Sequence, residues 1–555
     1  MDFVGTDNQG LSGLESSYDN VLTGRSGKII TAKDLNNSEI SDDYTTYIAA
    51  EDGSDVYLTI DANIQTIVEK NIATPVKDKQ CETATAIAMQ PSTGKILAMA
   101  SYPNYDLNKP FEPIDSDIKN KWDKMTSKEK SNYLNQMWRN RNISDLYEPG
   151  STFKTLVSSI ALEENITETN VKNDFYCKTY EEFSDGTKIR CWSTTAHGHE
   201  TLTQALANSC NPAFMQLGKR IGVDMYYKYF EAFGLFNKTG ISLPGESNSI
   251  FFDKAKVGPV ELATMSFGQR FEITPIQLIT AISSIANGGY LMQPQIVSKT
   301  VNKSTNDTTN IEAKKIRQVI SEETAKSVMK MMESVVTDGT GKKGAVKGYT
   351  IAGKTGTSEA KTGSSSGNTL SYVAIAPSEN PQIVLLVVLY NTPKNSHGST
   401  VAGPVVSNIL GEILPYLGVT SDDANINSSN NEIIVPDVTN KTVTEAEKIL
   451  KNAGFNSYTS FTGNKNSTVV STQVPKARTI VTKDSVVILY TEENSTRTSV
   501  TVPDLKGMNL SKAKSTLKEQ NLNINFSGNG LVVSQDIKAG DTVEEGSIIT
   551  VKLAY

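Results

Sequence analysis

Glu148-Pro149-Gly150-Ser151-Thr152-Phe153-Lys154 opens an apolar run that continues through Thr155, Leu156, Val157, Ile160 and Leu162. Proline and glycine ahead of such a run predict a tight turn that starts a buried helix. Ser151 then falls in the first turn, with Lys154 three residues on and on the same face. A serine hydroxyl is a poor nucleophile until a nearby base takes its proton. A lysine is that base only when uncharged, which from a free pKa near 10.4 costs roughly 4–5 kcal/mol at pH 7. Burial and a second cation nearby supply a shift of that size. The stretch therefore asks the rest of the chain for a cation, a proton relay and an anion clamp.

The pattern alone is weak. Ser-x-x-Lys recurs at Ser116/Lys119, Ser127/Lys130, Ser327/Lys330, Ser511/Lys514 and Ser515/Lys518. Most of those copies lie in polar, helix-like segments where serine and lysine face water. The bulk numbers narrow the field. At 555 residues the chain predicts more than one domain. A net charge of -7 and a pI near 5.4 argue against a nucleic-acid surface, and no segment resembles an RNA- or DNA-binding module. The longest apolar run, Ile383 to Tyr390, has strand length and not membrane length. Met1-Asp2-Phe3-Val4 lacks the basic region and apolar core of a signal peptide. The expectation is a cytoplasmic chain, or one whose upstream anchor has been removed.

Along the chain, residues 1 to about 55 are polar and Gly-rich, with no core large enough to fold alone. Residues 55–60 read as a strand and 61–73 as a helix. Residues 83–89 and 95–100 form a hairpin around Gln90-Pro91-Ser92-Thr93-Gly94. Residues 170–200 are irregular, and 202–217 read as one helix carrying Ser209-Cys210-Asn211. Residues 258–288 hold helical patterns split at Thr274-Pro275. Residues 321–337 read as an amphipathic helix capped by Ser321. Three strands follow, at 349–357, 371–376 and 383–390, and a closing helix at 402–417. Strands near both sequence ends with helices between them predict one antiparallel sheet built from distant segments, its faces covered by helices. Beyond a polar linker the chain repeats itself: Val435-Pro436-Asp437-Val438 recurs as Val502-Pro503-Asp504-Leu505, each followed by a helix and strands.

With these pieces placed, the chain resembles the class B penicillin-binding proteins, the serine D,D-transpeptidases of cell-wall synthesis. Three motifs stand in that family's order: Ser151-Thr152-Phe153-Lys154, Ser209-Cys210-Asn211 and Lys354-Thr355-Gly356-Thr357. Lys-Thr-Gly also occurs at 238 and 361, but only the copy at 354 lies in a strand pattern after a Gly-rich loop. The two C-terminal units resemble PASTA repeats. The Ser-Cys-Asn motif and the PASTA tail are most similar to the family's sporulation-specific branch.

The resemblance implies an α+β fold: a five-stranded antiparallel sheet covered by helices, an all-helical subdomain, then two small α+β PASTA domains. It divides the chain into a pedestal remnant at 1–54, a transpeptidase domain at 55–418, a linker at 419–431, and repeats at 432–493 and 499–555. It implies that Ser151 attacks the carbonyl between two D-alanines and Lys154 takes its proton. Ser209 passes a proton to the departing amine, and Lys354 is the cation holding Lys154 neutral. Asn211 holds the donor amide and orients Lys154. Thr355 and Thr357 hold the substrate carboxylate, and backbone N–H groups of Ser151 and Thr357 form an oxyanion hole. Gly356 lets substrate backbone approach its strand. Two departures stand out. Arg270 replaces the second glycine of the family's Gly-Gln-Gly, where it would narrow the cleft or meet a substrate carboxylate. The repeats lack part of the usual central Pro and Gly (Ala477-Arg478; Ile537), which argues against ligand binding by them.

Cys177, Cys191, His197 and His199 fall close together, and the chain has only three histidines. Histidines two apart in an extended segment point the same way. Two thiolates and two imidazoles make a tetrahedral zinc set, with Asp174 as a substitute ligand. The alternatives are a Cys177–Cys191 disulfide with incidental histidines, or free thiols. Cys81 and Cys210 read as ordinary buried residues. A closed four-ligand metal would be structural, so no cofactor is needed for the chemistry itself.

The leading functional expectation is a transpeptidase acting on peptidoglycan stem peptides that end in D-Ala-D-Ala, and acylated by β-lactams. A D,D-carboxypeptidase or β-lactamase shares the motifs, and a non-catalytic wall-binding or β-lactam-sensing module is the third class. The family resemblance further implies an N-terminal membrane anchor upstream of this chain. It also implies action outside the cytoplasmic membrane, and a glycosyltransferase partner of the shape, elongation, division and sporulation type.

Overall fold

The computed structural model describes residues 3–5, 7–31, 46–358, 367–419, 432–482, 485–493, 498–528 and 531–554. It divides into two compact units, Met1–Leu417 and Gly418–Tyr555. The expected linker lies outside the described residues except for its first position.

The first unit is built on a sheet whose strands come from both ends of its sequence. A helix α1 (Ala62–Lys77) begins at Asp61, whose carboxylate accepts from the N–H groups of Asn63 and Ile64. Strands β1 (Thr83–Met89) and β2 (Ile96–Tyr102) form the expected hairpin. Far along the chain come β3 (Ala352–Ser358), β4 (Asn368–Ala376) and β5 (Ile383–Thr392). The sheet order is β3-β4-β5-β1-β2, antiparallel throughout. Strand β5 is central, which explains its unbroken apolar sequence. Val384, Leu386 and Val388 join the main core, and the alternate residues Leu385, Val387 and Leu389 are equally buried on the other face.

That second face is covered by α1 and by the closing helix Gly398–Tyr416, which pack on each other and on the sheet. On the first face the helices Pro275–Ala286 and Glu322–Thr337 pack on the strands, Lys154–Glu163 packs on both of these helices, and Asn211–Ile221 packs on Lys154–Glu163. Pro275 starts its helix behind a Thr274–Gln277 capping box, and Ser321 caps the last one through the Thr324 N–H.

Three expectations need correction. The strand near residue 55 (Ser54–Leu58) is not part of the central sheet. It pairs with Val297–Asn302 in a separate three-stranded sheet, and its partners carry no strong periodic signal. The helix expected over 202–217 is broken into Leu202–Ala207 and Asn211–Ile221. Pro212 cannot donate inside a helix and starts a new one instead, leaving Ser209 in the left-handed region at φ 53°. Residues 170–200, expected to be irregular, hold two short ribbons: Phe175–Cys177 with Gly198–Glu200, and Tyr180–Glu182 with Lys188–Arg190.

In the second unit each repeat has the same plan. A helix (Val443–Asn452; Leu510–Lys518) packs on a three-stranded sheet that mixes one parallel and one antiparallel pair. Each repeat has its own apolar core. Asn523 joins them: its amide accepts from Val486 N–H and donates to the carbonyls of Val486 and Gly546.

Candidate active site

The nucleophile turn is set by close backbone packing. Gly150 takes φ 55°, and a β-carbon there would lie 2.8 Å from Thr357 O. Only glycine meets both demands. Gly150 N–H donates to Gly268 O at 2.8 Å, and Tyr147 exchanges backbone bonds with Ile273. A 3-10 turn over Gly150–Phe153 then runs into the helix Lys154–Glu163, as expected from Pro149-Gly150. A β-carbon at Gly356 would meet Ser371 Oγ at 2.3 Å and Pro149 O at 2.9 Å, so its missing side chain lets the strand close on the turn.

Three segments distant in sequence meet around the Ser209 hydroxyl. Lys154 is fully buried, unlike the lysines of the other Ser-x-x-Lys copies, which are exposed or half-exposed. Its Nζ donates to Ser209 O at 2.7 Å, to Asn211 Oδ1 at 2.7 Å and to Ser209 Oγ at 3.4 Å. Lys354, equally buried on β3, donates to Ser209 Oγ at 3.0 Å and to Thr355 O at 2.9 Å. The Ser209 hydroxyl therefore sits between two amines. The rings of Phe214 and Phe267 flank Lys154 Nζ at 5.2 and 6.0 Å. Thr355 Oγ1 lies 3.4 Å from the hydroxyl of Thr340, a residue of the Gly-rich loop with no role expected from sequence. Thr357 Oγ1 accepts from Gly398 N–H at 3.5 Å.

Burial lowers the Lys154 pKa to about 8, against the opposing pull of nearby thiols and Glu200. Lys354 is pushed well below the usual lysine range, first by burial and then by repulsion from Lys154. Both amines are thus held below the usual lysine range, with burial as the first cause. Lys154 faces two carbonyl oxygens that favour its charge, whereas Lys354 faces one carbonyl and a hydroxyl.

The cysteine and histidine residues gather beside this site in a different combination from the one expected. The ligand atoms of Cys177, Cys191, His197 and Cys210 all lie within 4.8 Å of one another. Cys191 Sγ and His197 Nδ1 are 3.9 Å apart. A tetrahedral zinc with sulfur bonds of about 2.3 Å spaces its ligand atoms by about 3.8 Å, so three thiols and an imidazole at this separation fit the ion.

His199 is elsewhere: exposed, with its ring 4.9 Å from that of Tyr176. Gly198, at φ 72°, breaks the extended alternation that would have aligned the two histidines. Asp174 is engaged by Arg220 at 2.7 Å. All four cysteines are free thiols. Cys210 was missed because its partners come from the loop 177–197, not from its own neighbourhood. Its only local signal is the Ser-Cys-Asn triplet.

The surroundings tie this cluster to the Ser209 turn. Trp192 Nε1 donates to Asn208 O at 2.9 Å, and Asn208 Nδ2 donates to the buried Glu200 at 2.9 Å. The guanidinium of Arg270 bonds Glu261 at 2.9 Å.

The comparisons with known proteins agree with this geometry. A family model described as penicillin binding protein transpeptidase domain matches residues 84–411, and PASTA domain models match 433–493 and 500–555. The chain belongs to the penicillin-binding protein transpeptidase family. It is 37% identical to stage V sporulation protein D of Bacillus subtilis (strain 168) over 509 residues, covering 89% of this chain and 74% of the relative. It is 29% identical to peptidoglycan D,D-transpeptidase FtsI of Escherichia coli (strain K12), covering 78% of this chain and 68% of the relative. Among solved structures, a peptidoglycan synthetase from Bifidobacterium adolescentis matches with TM-score 0.65 and 26% identity, over 76% of this chain and 72% of that one. Penicillin binding protein 3 from Mycobacterium tuberculosis matches with TM-score 0.63 and 25% identity, over 76% of this chain and 88% of that one. No helix among the described residues is long and apolar enough to cross a membrane.

Proposed function

We propose that the chain is a serine-type peptidoglycan D,D-transpeptidase that cross-links stem peptides ending in D-Ala-D-Ala, in cell-wall or spore-cortex synthesis. The observation that carries this reading is the convergence of two buried lysines on one serine hydroxyl, at 3.4 and 3.0 Å, with one of the lysines three residues after Ser151.

In this reading Ser151 Oγ attacks the carbonyl carbon of the penultimate D-alanine, and its proton passes to the uncharged Lys154 Nζ. The N–H groups of Ser151 and Thr357 hold the resulting oxyanion. As the C–N bond breaks, the departing amine takes the Ser209 proton, and Lys154 returns its own proton to Ser209. Lys354 steadies Ser209 from the other side. Asn211 orients Lys154, while Thr355 and Thr357 hold the terminal carboxylate and Gly356 lies against the bound backbone. An acceptor amine then displaces the serine ester.

A β-lactam presents a strained amide to the same serine and stays attached after ring opening. The relative from Mycobacterium tuberculosis has been solved in complex with aztreonam and with ampicillin. Cys177, Cys191, His197 and Cys210 would hold a structural zinc, which with four protein ligands leaves no position for water and supplies no chemistry. Its effect would be to anchor Cys210, between Ser209 and Asn211, to the loop 177–197. The full protein would carry an upstream membrane anchor, act on the outer side of the cytoplasmic membrane, and work with a membrane glycosyltransferase that polymerises the glycan.

The test is product analysis with a D-alanyl-D-alanine peptide and a D-amino acid acceptor. Exchange of the terminal residue is the expected outcome. Hydrolysis alone, with steady turnover of penicillin, would assign a carboxypeptidase or β-lactamase instead.

A further inference from the structure

Glu148 opens the nucleophile stretch, and the chemistry above gives it no task. Its carboxylate nevertheless lies between the two segments that flank the turn. On one side Oε1 accepts from the backbone N–H of Arg270 at 2.8 Å. On the other, Oε2 accepts from the Ser358 hydroxyl at 3.1 Å. Ser358 is the residue after Thr357 on β3, and Glu148 stands three residues before Ser151. One side chain thus spans the loop that bonds Gly150 and the strand that carries the second N–H of the oxyanion hole.

Arg270 adds a second, independent observation at this contact. It adopts φ 64°, a left-handed conformation that costs a residue with a β-carbon about 1 kcal/mol or more. The Glu148 carboxylate bonds the N–H of that strained residue, and a charged acceptor makes one of the stronger hydrogen bonds available to a backbone N–H.

We propose that Glu148 is a positioning residue that sets the separation of the Ser151 and Thr357 N–H groups by bridging Arg270 and Ser358. This rests on the proposed assignment of those two groups as the oxyanion hole. The bridge acts on the transition state, because both donors must point at an oxygen that carries charge only there. Substrate and β-lactam in the ground state make weaker demands on it. A displacement of the order of 1 Å at such a site costs about a hundredfold in rate.

The experiment measures β-lactam acylation by stopped flow with a fluorescent penicillin, resolving the initial dissociation constant from the acylation rate constant. Glu148→Ala is expected to lower the rate constant about 10- to 100-fold and to leave the dissociation constant within about twofold. Glu148→Gln keeps an oxygen for Arg270 N–H, and its amide can donate to the Ser358 oxygen. It is expected to retain the rate within about fivefold. Ser358→Ala, which removes one hydroxyl at a strand end, is expected to slow acylation about 3- to 10-fold. The double variant should be no slower than Glu148→Ala, because both changes cut one bridge.

An unchanged rate in Ser358→Ala overturns the proposal, even if Glu148→Ala fails to fold. So do multiplying effects of the two substitutions, or a loss that falls wholly on the dissociation constant. Failure of the underlying reading looks different: wild-type protein would then form no adduct, or Ser151→Ala would still form one.

Discussion

The nucleophile turn and the loop of residues 170–200 flank the same serine, Ser209, but are held by different forces. The turn is fixed by backbone. Gly150 bonds Gly268, Tyr147 pairs with Ile273, and the helix behind it is buried from Lys154 to Ala161. The loop has two short ribbons, and its order rests on side chains that converge: three thiols, His197, and the Trp192 and Glu200 contacts to Asn208. A packed segment loses function locally when one group is removed. A segment gathered around a few ligands loses its shape as a whole.

The sharpest way to break this contrast is at Lys154. Lys154→Ala should lower the acylation rate by about 10²–10⁴, the span expected for a general base. Stability should change little or rise, since a buried amine is costly to keep. A large loss of thermal stability with acylation intact would erase the distinction.

Cys210→Ser is the counterpart in the loop. It should abolish stoichiometric zinc, measured by elemental analysis, and lower the melting temperature by several degrees, because metal binding energy is folding energy. Acylation should fall about tenfold through the displaced Ser209 turn, by the same sensitivity to small displacements. Retained zinc would remove Cys210 from the ligand set.

A smaller effect is expected from pH. With a Lys154 pKa of about 8, the charged form dominates below that value and the bare base above it. The acylation rate should therefore rise about fivefold from pH 7 to pH 8, then about twofold more before it levels off near pH 9. A rate that is flat, or that falls as pH rises, would assign the proton uptake to another group. The smallest effect is at the second histidine. His199→Ala should keep both zinc and acylation, whereas His197→Ala should lose the metal.

These predictions follow the line between what was legible in the sequence and what was not. The hairpin 83–100, the helix after Pro149-Gly150 and the strand carrying Lys354 announce themselves through turn residues and apolar periodicity. Their adjacency in one sheet is not local information: it was read from the order of strands and helices along the chain, and the number of strands from the family resemblance. The three motifs were legible because each pairs reactive residues at a fixed short spacing. Ser209 was legible as a motif but its backbone was not, although Pro212 marks the helix break that the reading of 202–217 passed over. The metal-ligand set was only half legible. Residue types and spacing drew in Cys177, Cys191 and His197, whereas the choice between His199 and Cys210 depended on the left-handed Gly198 and on packing of the helix 211–221. Glu148 and Thr340 carry no signal of type or spacing, since what distinguishes them is which backbone lies across from them.

The central claim is that buried amines make the Ser151 hydroxyl attack amides. Intact-mass spectrometry after incubation with penicillin, followed by peptide mapping, tests it most directly. The account predicts a single stoichiometric adduct, of the mass of the whole antibiotic, on the peptide containing Ser151, and none in Ser151→Ala. An adduct at another residue, or none on the folded wild-type chain, would contradict it.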